Sequence, residues 1–310
     1  MEIRLITTES VAGTAGTRDP ERAAALAGAA AAFLHTGIVE RLAGARATVD
    51  QVVSVSAPTG MADDPIAALA GINARVGRAV AGALRQDVAP VLIGGNCSHT
   101  IGMIAGIQAA YGPTVRLGLL WLDAHGDFNT PRTSLSGMLG GMPVAVAAGL
   151  CWPEWREGAG QQVPLPTSRI VMVDVRNLDE AEEALIRATD VEVARFGKGF
   201  DISPILAGIA RLATTCDQIY VHVDSDILDA TLQPNHPTVE PGGPGVEPVV
   251  EVLNAVFQTG KVCAFAVVSV NPDGQEGKIS VESAAELLVR GARAWATVRA
   301  AEPTWVMRSE

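Results

Sequence analysis

Asp123, His125 and Asp127 alternate along Asp123-Ala124-His125-Gly126-Asp127, and Asp224 and Asp226 repeat that spacing in Asp224-Ser225-Asp226. In an extended segment alternate side chains share a face. The first motif therefore offers two carboxylates and an imidazole on one side, a ligand set suited to Mn²⁺, Zn²⁺ or Fe²⁺. The second adds two carboxylates, with His222 two residues earlier on the same face. One such triplet is as readily a solvated loop with a capping Asp. Two triplets brought together need protons or a cation to be tolerable. That argument points to a divalent-metal site.

The elements that would carry these residues are short apolar runs alternating with Ala-rich stretches. Strands are expected over residues 3–8, 49–56, 90–93, 116–122, 169–173, 191–194, 218–223 and 262–268. Helices are expected over 20–42, 65–85, 100–111, 137–149, 180–188, 203–214, 246–258 and 281–298. This alternation predicts an α/β fold, a three-layer sandwich whose mostly parallel, doubly wound sheet has helices on both faces. Continuous rather than alternating apolar strands fit a sheet covered on both sides. Without a composition shift, residues 1–310 read as one domain. Polar residues fall just after five strands, at Asn96, Asp123, Asn177, Asp224 and Ser269, so their chemistry gathers at the carboxyl edge of the sheet.

With 310 residues, 48% of them hydrophobic, the chain can build a substantial core. A net charge of −11 without a basic cluster argues against nucleic acid or an anionic membrane as partner. Ala23 to Leu34 reads as a soluble helix rather than a leader. Four widely spaced cysteines, Cys97, Cys151, Cys216 and Cys263, suit a reduced, cytoplasmic compartment. A dinucleotide-binding enzyme lacks its glycine fingerprint here.

In order along the chain come Gly94-Gly95-Asn96-Cys97-Ser98, Asp123-Ala124-His125-Gly126-Asp127-Phe128-Asn129-Thr130-Pro131, Ser136-Gly137, Gly141-Met142-Pro143, Asp224-Ser225-Asp226-Ile227-Leu228-Asp229 and Val270-Asn271-Pro272. From about Pro90 onward this resembles the ureohydrolase family, which comprises arginases, agmatinases and formimidoylglutamases. The resemblance implies two divalent metal ions, Mn²⁺ in the first instance. Their bridging hydroxide would attack an amidino-type carbon in a small amino-acid-like substrate. Asp123 and Asp224 would bridge the metals, Asp127 would bind one, and His125 and Asp226 the other. It also implies a homo-oligomer, trimer or hexamer.

Three positions depart from that pattern. Cys97 stands where the family has a metal-binding His. A thiolate there would favour Zn²⁺ or Fe²⁺; as a small buried hydrophobe it would leave one metal, and His99 is a possible substitute. Gly140 stands where the family often has a proton-relaying His. His236, beyond the second motif, is either a donor from another direction or a structural hydrogen-bonder, and His222 could assist. Ser269 replaces a Glu that pairs with the guanidinium, so an ordinary arginine-type substrate should bind poorly unless Glu240 compensates. Asn129 and Ser136 match contacts to an α-carboxylate and Asp179 an acid near the α-amino group, although each could equally cap a loop or helix. The expected reaction is hydrolysis of a C–N bond in a guanidino, hydroxyguanidino, formimino or amide compound, with Asp127 orienting the nucleophile and taking its proton. The competing reading is a catalytically altered binding or regulatory protein. Trp152 and Trp155 are open between lid and spacer, and Arg132 between anion contact and solvated charge.

Overall fold

The computed structural model describes residues 1–14, 17, 19–56 and 64–301. Eight strands, β1 (Glu2–Thr8), β2 (Thr48–Val55), β3 (Ala89–Ile93), β4 (Leu117–Leu122), β5 (Ile170–Val173), β6 (Glu192–Ala194), β7 (Gln218–Asp224) and β8 (Val262–Val268), form one sheet. Its order is β2-β1-β3-β8-β7-β4-β5-β6, and every pairing is parallel. Parallel neighbours need crossovers, which all but the last of the helices among the described residues supply. The helices are α1 (Pro20–Ala25), α2 (Ala29–His35), α3 (Ile38–Gly44), α4 (Pro65–Leu84), α5 (Thr100–Tyr111), α6 (Pro143–Ala147), α7 (Pro153–Gly158), α8 (Glu180–Arg187), α9 (Ser203–Thr215), α10 (Val246–Phe257) and α11 (Gly274–Ala301).

Alternation along the buried strands divides the core in two. Val221, Val223, Leu120 and Leu122 face α2, α3, α9, α10 and α11. Tyr220, Leu119 and Trp121 face α4, α5, α6 and α7. Full burial of each such side chain is worth about 1.5–3 kcal/mol. Close helix contact on the second face depends on small residues. A Cβ at Gly106 of α5 would lie 2.5 Å from Val80 Cβ and 2.6 Å from Gly77 O of α4.

All eight expected strands form, with no end moved by more than one residue. The expected helix over 20–42 is instead α1, a short 3-10 turn, α2 and α3, broken where Gly37 adopts φ +68°. The expected helix over 137–149 is reduced to a 3-10 turn, Leu139–Gly141, and α6, because Gly137 has φ +71° and Pro143 starts the helix anew. The last helix is longer than expected and begins at Gly274. The Trp152–Trp155 region is a spacer rather than a lid. It forms α7, Trp155 is fully buried, and Trp152 Nε1 donates to Met142 Sδ at 3.4 Å. Among the described residues no single helix is long and apolar enough to cross a membrane.

Candidate metal centre

The four central neighbours β3, β8, β7 and β4 end side by side, and the ends of β3, β7 and β4 with their following loops supply the donors. After β3, Gly94 (φ +81°) and Gly95 (φ +67°) turn the chain sharply toward Cys97. Gly95 has no room for a side chain: a Cβ would lie 2.5 Å from the His99 ring. Cys97 Sγ comes within 2.9 Å of Asp224 Oδ2 and 3.7 Å of Asp123 Oδ2. After β4, His125 Nδ1 lies 3.0 Å from Asp226 Oδ2 and 3.5 Å from Asp123 Oδ1. The His125 amide donates to Asp123 Oδ1 at 2.6 Å, and the Asp226 amide to Asp224 Oδ1 at 3.0 Å. Each carboxylate is thus aimed by its own loop.

Three donor sets lie close enough to hold a cation: Cys97, Asp123 and Asp224; Asp123, His125 and Asp226; and Asp224, Asp226 and His236. Asp123 belongs to the first two and joins them. Asp127, with a left-handed backbone at φ +45°, lines the same cavity but is in none of the three close sets. Val144 N–H donates to its carbonyl at 3.0 Å, which helps hold that conformation. A non-glycine residue there stores about 1–2 kcal/mol of strain.

Electrostatics favour a positive guest. Burial, then Asp226 and Asp224, push the Asp123 carboxyl well above its ordinary range. Burial does the same to Asp127, against the pull of His125. Burial and the Asp224, Asp127 and Asp123 charges raise the Cys97 thiol. Asp226 is held low despite its burial, because His125 and His236 face it. Burial opposes a charged His125, yet Asp226 and Asp123 raise it overall. Buried acids that resist ionisation together, beside a sulfur and two imidazoles, fit divalent cations: bound cations would replace the protons that otherwise neutralise the cluster.

Around this floor lies a cavity of about 170 Å³. Asn129 reaches it with Oδ1 buried and unpartnered, while its Nδ2 donates to Asp179 Oδ2 at 3.4 Å. Ser136 and Asp179 lie on its wall. Ser269 is also on the wall, at φ +62°, with its amide donating to Gly95 O at 3.1 Å. His236 is buried, and Thr238 N–H donates to its Nδ1 at 3.2 Å. In the neutral ring that contact places the proton on Nε2, which lies 3.4 Å from Asp224 Oδ1.

Other expected residues lie elsewhere. His99 is no substitute for Cys97, because its Nε2 meets Ser10 O at 3.1 Å and the ring packs on Gly95. His222 lies beneath the cavity, fully buried and stacked on Trp121. Arg132 is exposed and outside the cavity lining. Glu240 is engaged by His125 Nε2 at 3.4 Å and by Asn177, so it orients His125 rather than standing free for a guanidinium. Arg176 holds this arrangement, donating to Asp226 O, Ile227 O and Glu240 O.

Three contributors were not foreseen. Glu182 is buried on the cavity wall, accepts Phe128 N–H at 2.8 Å, and is raised by burial to about 7. Asp179-x-x-Glu182 has the spacing of a helix capping box, which suggested structure rather than a site. Thr238 Oγ1 donates to Asp226 Oδ2 at 3.1 Å. Gly13 O approaches Gly140 so closely that a Cβ there would lie 3.0 Å from it. No motif marks the last two.

Comparison with known proteins identifies the family. The arginase family model matches residues 29–292. The arginase of Bacillus caldovelox is 30% identical over 228 residues, 68% of this chain and 74% of its own. That of Bacillus subtilis strain 168 is 29% identical over 230 residues, 71% of this chain and 75% of its own. The solved Bacillus caldovelox arginase superposes with a TM-score of 0.80 at 26% identity, covering 93% of this chain and 97% of that one. Bacillus subtilis formimidoylglutamase shares the fold, with a TM-score of 0.72 at 16% identity over 95% of this chain and 87% of its own. With the matched segment containing every donor of the cavity floor, the chain belongs to the arginase family.

Proposed function

We propose that the chain is a metal-dependent hydrolase of a C–N bond in a small, amino-acid-like guanidino or amidino compound. The observation that carries this reading is the convergence of Cys97, Asp123, His125, Asp224 and Asp226 on one buried cavity floor. Asp123 and Asp224 would be shared between two divalent cations, with Cys97 and Asp127 toward one and His125 and Asp226 toward the other. Mn²⁺ follows from the family; Zn²⁺ or Fe²⁺ is the alternative that a thiolate at Cys97 favours, and a single ion the alternative with Cys97 as a buried, non-ligating thiol. Cations so held acidify water and polarise the carbon under attack.

The chain's own residues supply the rest. Asp127 orients the nucleophile and takes its proton. His236 Nε2–H, on the same wall, donates toward the departing nitrogen. Asn129, Ser136 and Asp179 bind the amino-acid end, for which the unpartnered Asn129 Oδ1 supplies an acceptor. Ser269 provides a hydroxyl instead of a counter-charge, so the scissile end, drawn from guanidino, hydroxyguanidino, formimino and amide groups, is an atypical one for this position. We take a cytoplasmic homo-oligomer, trimer or hexamer, as part of this reading, and light scattering of purified protein checks the assembly.

The test is metal analysis of chelator-free protein, with ammonia and urea release measured over a panel of such compounds after loading with Mn²⁺, Zn²⁺ or Fe²⁺. Metal in the protein and multiple-turnover release are expected. Stabilisation by a compound without turnover would instead identify a binding protein, and metal-free protein inert with all three ions would end the proposal.

A further inference from the structure

We propose that His222 is a positioning residue for Cys97, donating its Nε2–H to the sulfur from beneath the cavity and so fitting a cysteine to this corner of the metal centre. This rests on the reading of Cys97 as a ligand. His222 Nε2 lies 3.3 Å from Cys97 Sγ. The ring is fully buried and does not line the cavity, so it has no route to substrate.

Three contacts fix the ring. Trp121, its register partner on β4, stacks on it with centroids 4.0 Å apart and planes within 2°. Tyr220 OH lies 2.7 Å and Thr100 Oγ1 3.0 Å from Nδ1. A hydroxyl donating to Nδ1 leaves the ring proton on Nε2, the nitrogen that faces the sulfur. Thr100 opens α5, three residues after Cys97, so the turn that carries the sulfur also helps set the ring. On β8 the register partners of Tyr220 and His222 are Ala264 and Ala266, small residues beside the two large rings.

Hydrogen-bond roles at the sulfur then follow from its bonding. Without a metal, Cys97 S–H can donate to Asp224 Oδ2 while accepting from His222. A sulfur bound to a metal carries no proton and only accepts. The Nε2–H donor then remains well matched to it, with Ser269 Oγ at 3.9 Å a more distant second. Such a donor fixes the side-chain direction and tempers the electron donation of the sulfur, as outer partners of metal ligands do.

Co²⁺ is a suitable probe, since sulfur bound to it gives a near-ultraviolet charge-transfer band that needs no turnover to be read. The full-length protein should show the band, and Cys97→Ser should lose it. His222→Leu should move the band to longer wavelength and weaken Co²⁺ binding about 10–100-fold. His222→Gln, whose amide N–H reaches the place of Nε2–H, should restore both toward the parent values. Tyr220→Phe combined with Thr100→Val removes only the hydroxyls and should move the band in the same direction, which keeps the test open if His222→Leu fails to fold. An unmoved band and affinity in His222→Leu, or in the double variant where His222→Leu does not fold, would overturn the proposal while leaving Cys97 a ligand. So would His222→Gln behaving as His222→Leu does. Absence of the band in the unaltered protein would overturn the ligand reading and this inference with it.

Discussion

On the proposed function, Cys97 is the residue on which metal choice turns. Replacing it with His supplies the borderline imidazole ligand that suits Mn²⁺ as well as Zn²⁺. In competition loading followed by metal analysis, Cys97→His should raise the manganese-to-zinc ratio, and Cys97→Ala should weaken binding of one ion by at least roughly tenfold. Glu182 gives a pH signature. Its folded value of about 7 lies above its ordinary 4.5. A carboxyl raised in the fold contributes stability that is complete below about 4.5 and lost as pH rises through about 7. Glu182→Gln keeps an acceptor for Phe128 N–H without that loss. Metal-free Glu182→Gln should therefore be more stable than its parent by on the order of 2 kcal/mol at pH 8, and no more stable at pH 4, by urea unfolding. Much of the residue level is legible in sequence because alternation puts Asp123 with His125 and Asp224 with Asp226, whereas Asp127, turned by its φ of +45°, lines the cavity outside the close sets. What escapes is depth. His222 has the parity of Asp224, yet parity cannot tell a ring beneath the floor from one within the cavity. Glu182 is hidden by its resemblance to a helix cap.

At the scale of elements, the strand ends are more constrained than the strands. The Gly94–Gly95 turn feeds Cys97 inward only because both residues adopt positive φ. Gly95→Ala combines left-handed strain with overlap of the His99 ring, and should cost about 2–5 kcal/mol in denaturant unfolding. It should also lower metal affinity, because His99 and Cys97 share one 3-10 turn. The strands were legible because runs such as 117–122 and 262–268 are buried on both faces. The helix over 20–42 was not: apolar periodicity continues past Gly37, but its left-handed backbone at φ +68° ends α2 and turns the chain into α3.

For the whole molecule, the cluster of buried acids is a liability that cations relieve. Ligand that binds only the folded state adds about 2.7 kcal/mol at a hundredfold excess over its dissociation constant. Dialysis against chelator should therefore lower the melting temperature by roughly 4 °C for each ion removed, and returning Mn²⁺ or Zn²⁺ should restore it. The gap should widen between pH 5 and pH 8 as protons cease to neutralise the acids, which calorimetry at a series of pH values would show.

The placement of β8 beside β3 has a consequence for how the protein is made. Cys97 and Ser269, neighbours across the cavity, are 172 positions apart in the chain. Synthesis between them takes roughly 10–30 s at the usual elongation rates. Throughout that interval the nascent chain carries Cys97 without a complete β8, and for most of it without β7 as well. On the proposed function, ion uptake is therefore expected late in biogenesis. Chains arrested before β8 should carry no tightly held ion, so that metal content in a cell extract counts finished molecules rather than polypeptide.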